Sequence, residues 1–168
     1  MPALVADVRN QLELLARYNI ECVIIGGVAS VYHGSSDVTH DLDVCYSRSR
    51  ENLEKIVAGL KSVNAFLRGA PRDVPFILDA ETLKKGLNFT FETDIGSLDL
   101  LGEIRGVGAF DDVISDSETA EMFGYDFQVI SLEKLMESKR IAAREKDLKT
   151  LAELKAIHEF RQARDAKT

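Results

Sequence analysis

The chain has 168 residues, 45% hydrophobic and 29% charged, which suits one globular domain with a real core. No apolar run approaches the roughly 18 residues of a membrane span, and MPALVADVRNQLELL lacks the basic flank and continuous apolar stretch of a signal peptide. A net charge of −7 argues against broad, non-specific nucleic-acid binding, which needs a basic surface, but leaves open a nucleotide handled through a bound cation. The expectation is a cytoplasmic protein with no membrane partner.

Leu4, Val8, Leu12 and Leu15 recur at helical spacing and predict an amphipathic helix over residues 3–18. ECVIIGG is a β-branched run stopped by glycines, a buried strand. Residues 28–33 suit a short helix with Gly34 as its left-handed cap. From Thr39 to Tyr46 polar and apolar residues alternate, the period of a strand, which turns Val38, Leu42 and Val44 toward the core. Leu53, Ile56, Val57, Leu60 and Val63 mark a second helix. Residues 64–85 carry little pattern: Pro71 and Pro75 flank an Arg-Asp pair in an excursion, and a short helix follows at 80–85. LNFTFET and SLDLLGEI read as two strands joined by DIG, and AEMFGYDFQVISL as a hairpin turning at Gly124. Leu132, Leu135, Met136, Leu148, Leu151, Leu154, Ile157 and Phe160 then give helical spacing, with the charged run 144–147 as a break. This order predicts an α/β (α+β) fold with a mixed sheet flanked by helices and ending in C-terminal helices.

Within the strand 39–45, Thr39, Asp41, Asp43 and Cys45 share one face. Same-face residues two apart have Cα atoms about 6.5 Å apart, and carboxylates that close resist joint ionisation unless a cation lies between them. A hard ion such as Mg²⁺ matches such ligands. Asp99, between Leu98 and Leu100, is a third acid in a strand context, and three converging carboxylates are what two-metal phosphoryl or nucleotidyl transfer requires. Gly26 and Gly27 stand where a strand gives way to a helix, so backbone N–H groups there can approach a phosphate.

With these motifs the chain resembles the nucleotidyltransferase superfamily related to DNA polymerase β: a glycine pair, a spacer, an aspartate pair in a strand and a later third acid. More narrowly it resembles the small bacterial abortive-infection-toxin-type and minimal nucleotidyltransferases, through ISLEKLMESKRIAAREKDLKTLAEL near the end. The resemblance implies a single domain over 1–168, with a core at about 20–130 and a helical segment at about 131–163. It implies transfer of an NMP from an NTP to an acceptor hydroxyl on RNA, protein or a small molecule. Asp41, Asp43 and Asp99 would be the catalytic and metal-binding acids, with two Mg²⁺ ions as cofactor. Gly26, Gly27, Ser30 and Lys139 would contact the nucleotide, and Asp147 would support them. One departure stands out: Ser36 and Asp37 occupy the loop where members often carry an arginine.

Each motif also has a plainer reading. Asp-x-Asp often decorates a solvated strand face, the glycine pair can be a tight turn, and Lys139 and Asp147 sit in charged helical runs. The departing loop and the acidic surface suit a catalytically degenerate binding or regulatory protein, such as a toxin–antitoxin component with an antitoxin-like protein partner. The acidic balance also suits an enzyme that modifies a cationic drug. Other Asp-x-Asp chemistries fit worse. Cys45, Tyr46 and Asn52 stand where a calcium loop needs an oxygen ligand, a glycine and a glutamate. A dehalogenase-type phosphatase wants an apolar strand before Asp41, and GGVASVYHG lacks dinucleotide-binding glycine spacing. His33 reads as packing or capping and His40 as core edge, while His158 has no partner at metal-ligand spacing; Cys22 and Cys45 read as buried hydrophobes, unpaired and without a zinc ligand set.

Overall fold

The structure, a computed structural model, describes residues 6–71 and 73–168, so Leu4 of the first predicted helix and Arg72 of the Pro-flanked pair lie outside it. Helix α1 (Ala6–Arg17) carries Asp7 in its first turn and Arg17 in its last, matching the helix dipole. Its buried stripe is Val8, Leu12 and Leu15. Gln11, on the same helix, donates to Ser97 O at 2.6 Å and ties α1 to the sheet.

Strand β1 (Cys22–Ile25) leads directly into α2 (Gly26–His33), which ends at Gly34 in the left-handed conformation (φ 112°). Strand β2 (Leu42–Tyr46) is followed by α3 (Arg50–Ser62), capped by the Ser49 side chain, which accepts from Asn52 N. The Asn52 side chain accepts from Glu21 N at 2.7 Å and donates to the Glu21 and Ser47 carbonyls at 2.9 and 2.7 Å. One buried amide thus holds α3 against the β1 and β2 ends.

The irregular stretch contains β3 (Phe66–Leu67), two residues long and without a periodicity to announce it. The short helix α4 (Ala80–Lys85) follows, capped by Asp79. A hairpin then pairs β4 (Asn88–Thr93) with β5 (Gly96–Leu101). The strand expected over SLDLLGEI breaks at Gly102, and its last two residues form β6 (Glu103–Ile104), which pairs with β7 (Gly108–Ala109); that pairing and the single-turn helix α5 (Phe110–Ile114) have no signal in the sequence patterns. A second hairpin, β8 (Glu118–Met122) and β9 (Tyr125–Val129), turns on Phe123 and Gly124, both at positive φ as a type I′ turn requires. Helices α6 (Leu132–Ala142) and α7 (Glu145–Asp165) are separated at Ala143, which adopts φ 52°.

The main sheet runs β3-β4-β5-β2-β1-β9-β8. β2 is antiparallel to β1 and parallel to β5, and β1 is parallel to β9, so the sheet is mixed as expected. Its core includes Ile24, Leu42, Val44, Leu53, Phe91 and Leu100, all buried. Each such side chain contributes about 1.5–3 kcal/mol through burial. Several sequence expectations are corrected. β2 begins at Leu42, so Thr39 and Asp41 lie in the approach to the strand and not in it. Val38, expected inside, is 64% exposed, because it sits in that approach loop. His40 is likewise exposed and not at the core edge. Leu148 and Phe160 fit the helical spacing of α7, yet stand 50% and 72% exposed. Among the described residues no helix is long and apolar enough to cross a membrane.

Candidate active site

The site begins with the turn from β1 into α2. Gly26 has φ +64°, and a Cβ there would drive into Asp43 Oδ2. A Cβ on Gly27 would come within 2.7 Å of Thr39 Oγ1. Both glycines are therefore demanded by the close approach of β2 and its leading loop. Ile25, the N-cap residue, makes no side-chain hydrogen bond to α2, so that end is not capped from within.

Asp43 lies directly opposite Asp99 in the parallel pairing of β2 with β5, and opposite Ile25 of β1 on its other side. The two carboxyl groups share a hydrogen bond. Burial first, then the Asp99 charge and bond and the Asp41 charge, push Asp43 up to about 7, with Lys139 pulling against them. Burial also raises Asp99, opposed by the positive charge of Arg68 and the bond to Asp43. Asp41, exposed just ahead of β2, faces the same cleft as Asp43.

Two chambers meet at Asp43. One, of about 350 Å³, has Gly26, Gly27 and Asp41 on one side and Lys139, Lys146 and Lys149 on the other. The second, of about 310 Å³, includes Asp99, Leu101, Ile104, Arg105 and Ile141. Gly26, Asp43, Lys139 and Arg144 line both. Asp147 is 1% exposed and organises the cationic wall: it accepts from Arg144 Nε at 2.6 Å and faces Lys139 Nζ at 3.4 Å. Burial opposes its ionisation, but the Arg144 hydrogen bond and the charges of Lys139 and Arg144 hold its pKa below the ordinary aspartate value.

Ser36 and Asp37 pin the loop ahead of the acids onto α7. Ser36 donates to Glu153 through its N–H at 2.8 Å and its hydroxyl at 2.6 Å, and Asp37 accepts from Thr150 Oγ1 at 2.5 Å. Positive charge comes instead from α6 and α7. Sequence reasoning passed over Arg144, Lys146 and Lys149 as individual residues. The i, i+3, i+4 spacing of Lys146, Lys149 and Thr150 on one helix face was the available signal.

The expected residues thus divide. Gly26, Gly27, Asp41, Asp43, Asp99, Lys139 and Asp147 all line one or both chambers. Ser30 lines neither: it is buried, and its hydroxyl donates to Gly26 O at 3.1 Å within α2. The helical i−4 geometry turns it inward. His33 is buried, with Nε2 2.8 Å from Ile130 O, a packing role as expected. Cys22 and Cys45 are unpaired strand residues.

Among the described residues, no three His, Cys, Asp or Glu side chains stand arranged as a metal-ligand set. The donor chemistry nevertheless fits a hard divalent ion. The acids are all-oxygen donors, and Asp43 is pushed toward its neutral form first by burial and then by its acidic neighbours, the second of which a cation would offset.

No protein-family model matches the chain, and no curated protein is detectably similar in sequence. Among solved structures, the solution structure of the antibiotic-resistance factor ANT(2'')-Ia resembles it with a TM-score of 0.52 at 12% sequence identity. The match covers 96% of this chain and 92% of that one. At that identity the likeness is one of fold. The mixed sheet, its flanking helices and the C-terminal pair together form a nucleotidyltransferase-like fold.

Proposed function

We propose that the protein is a Mg²⁺-dependent nucleotidyltransferase that moves an NMP from an NTP to an acceptor hydroxyl. The observation that carries this reading is Asp43 in register with Asp99, beside a helix start whose Gly26 and Gly27 line the same chamber as Asp43. The Gly26–Gly27 end of α2, with Lys139, Arg144, Lys146 and Lys149 across the chamber, would seat the triphosphate. Asp41, Asp43 and Asp99 would hold the metal, two ions in the full arrangement. When bound, the metal supplies charge stabilisation at the phosphoryl oxygens.

Asp99 would take the acceptor proton. The acceptor oxygen forms a bond to the α-phosphorus while the bond to the bridging oxygen of pyrophosphate breaks. Asp147 would hold Arg144 and Lys139 beside the cleft through its ion pairs with both. The competing reading is a non-catalytic binding or regulatory protein, such as a toxin–antitoxin component. It draws on the Arg68 guanidinium, which holds Asp99 at 3.3 Å.

Incubation with α-labelled NTPs, Mg²⁺ and RNA, protein and small-molecule acceptors separates the two. Label transferred by the wild type and lost in Asp43→Asn and Asp99→Asn is the expected result. Absence of Mg²⁺-dependent NTP binding by the wild type overturns the transferase reading.

A further inference from the structure

Asp99 carries a partner from a distant part of the chain. Arg68 follows β3, and its N–H bonds Thr90 O at 2.9 Å, which fixes its backbone to β4. Its Nε donates to Glu92 Oε1 at 2.6 Å and its Nη2 to Asp99 Oδ1 at 3.3 Å. Glu92 is held in turn by Ser97 Oγ at 2.9 and 2.8 Å. Strand register explains the assembly: Phe66 lies opposite Glu92, Glu92 opposite Ser97, and Thr90 opposite Asp99.

We infer that Arg68 is the built-in counter-ion of the acid site, holding Asp99 until a divalent cation displaces it, and is thus a positioning residue that sets how readily the site takes up metal. The inference rests on the metal-dependent reading above. The two bonds are unequal, with a short anchor to Glu92 and a longer contact to Asp99. The guanidinium can therefore release Asp99 while staying tethered to Glu92. Its side chain is 39% exposed, so water can take over the freed donors. A divalent ion and a guanidinium on one carboxylate repel each other, so binding of one weakens the other.

The test is calorimetric titration of the full chain with Mg²⁺ and Mn²⁺, paired with phenylglyoxal labelling of arginines read by mass spectrometry. Arg68→Ala and Arg68→Gln bind the cation about twofold to fivefold more tightly than wild type, the scale of losing one partly exposed ion pair. Arg68→Lys, which keeps the charge, stays nearer wild type. Arg105→Ala removes the same charge from the cleft rim, where Arg105 has no carboxylate partner among the described residues; it changes affinity by less than about twofold. In the wild type, Mg²⁺ raises the labelling of Arg68 and leaves that of Arg50, on α3, unchanged. Equal affinities in wild type and Arg68→Ala, or Arg68 labelling indifferent to Mg²⁺, overturn the inference alone. Absence of cation binding in every variant overturns it together with the metal-dependent reading.

Discussion

Gly26→Ala tests the construction of the site most directly. Two penalties act there. The left-handed backbone at φ +64° costs an alanine about 1–2 kcal/mol. The added methyl also collides with Asp43 Oδ2, the carboxylate paired with Asp99 in the strand register, and such overpacking costs about 1–3 kcal/mol. The expected destabilisation is about 2–5 kcal/mol, which lowers the midpoint of thermal unfolding by roughly 6–14 °C in a chain of this size. Urea unfolding measures the free energy. Two further variants separate the contributions. Gly34→Ala has positive φ (+112°) but only an ordinary 3.4 Å contact with Ile157, so it loses about 1–2 kcal/mol from strain alone. In an Asp43→Ala background the carboxylate collision is removed and only the 3.0 Å approach to Cβ remains, so the cost of Gly26→Ala falls toward the strain component. The reasoning is refuted if Gly26→Ala lies within about 0.5 kcal/mol of wild type, or if its cost is unchanged when Asp43 is truncated.

In chelator, the contribution of Asp43 to wild-type stability declines as pH rises from about 4 to about 7. The folded state keeps a proton on Asp43 that the unfolded chain has already released, so the stabilisation present in acid is lost through that window. Asp43→Asn flattens this decline and at pH 8 is the more stable protein by up to about 4 kcal/mol in pH-resolved urea titrations; parallel profiles for the two proteins would contradict the assignment. Asp147→Ala leaves Lys139 and Arg144 without their buried partner and costs about 2 kcal/mol, moderated because Arg144 can turn to water, while Asp147→Asn costs less because it still accepts a hydrogen bond. Differential scanning calorimetry and NTP binding on both variants check this. Glu153→Ala frees Ser36 and is expected to speed hydrogen exchange over residues 35–40 while leaving β1 protected; uniform exchange across both segments would count against a local strap.

Local patterns in the sequence carried most of the elements. The β-branched run and glycine pair mark β1 and the start of α2, and Gly124 marks the second hairpin; the break expected over the charged run 144–147 falls instead at Ala143 and Arg144, with Glu145 to Asp147 already in α7. Each depends on neighbours a few residues away, and side-chain periodicity reports such relations faithfully. The glycine–aspartate spacing also marked Gly26, Gly27, Asp41 and Asp43, and the strand context of Asp99 marked a third acid, as candidates for one site; they line two chambers that meet at Asp43. What the sequence could not supply was pairing over long separations. Only the parallel union of β2 with β5 places Asp99 opposite Asp43, and only the β3–β4–β5 order brings Arg68 to Asp99. The cations of α6 and α7 reach the glycine turn because α2 packs against both helices. Ser30 went the other way, since its helical position turns its hydroxyl back onto Gly26. Spacing along the chain thus chose the chemical groups, whereas strand register and helix packing decided which of them meet, because contacts across the sheet leave no periodic trace in either segment.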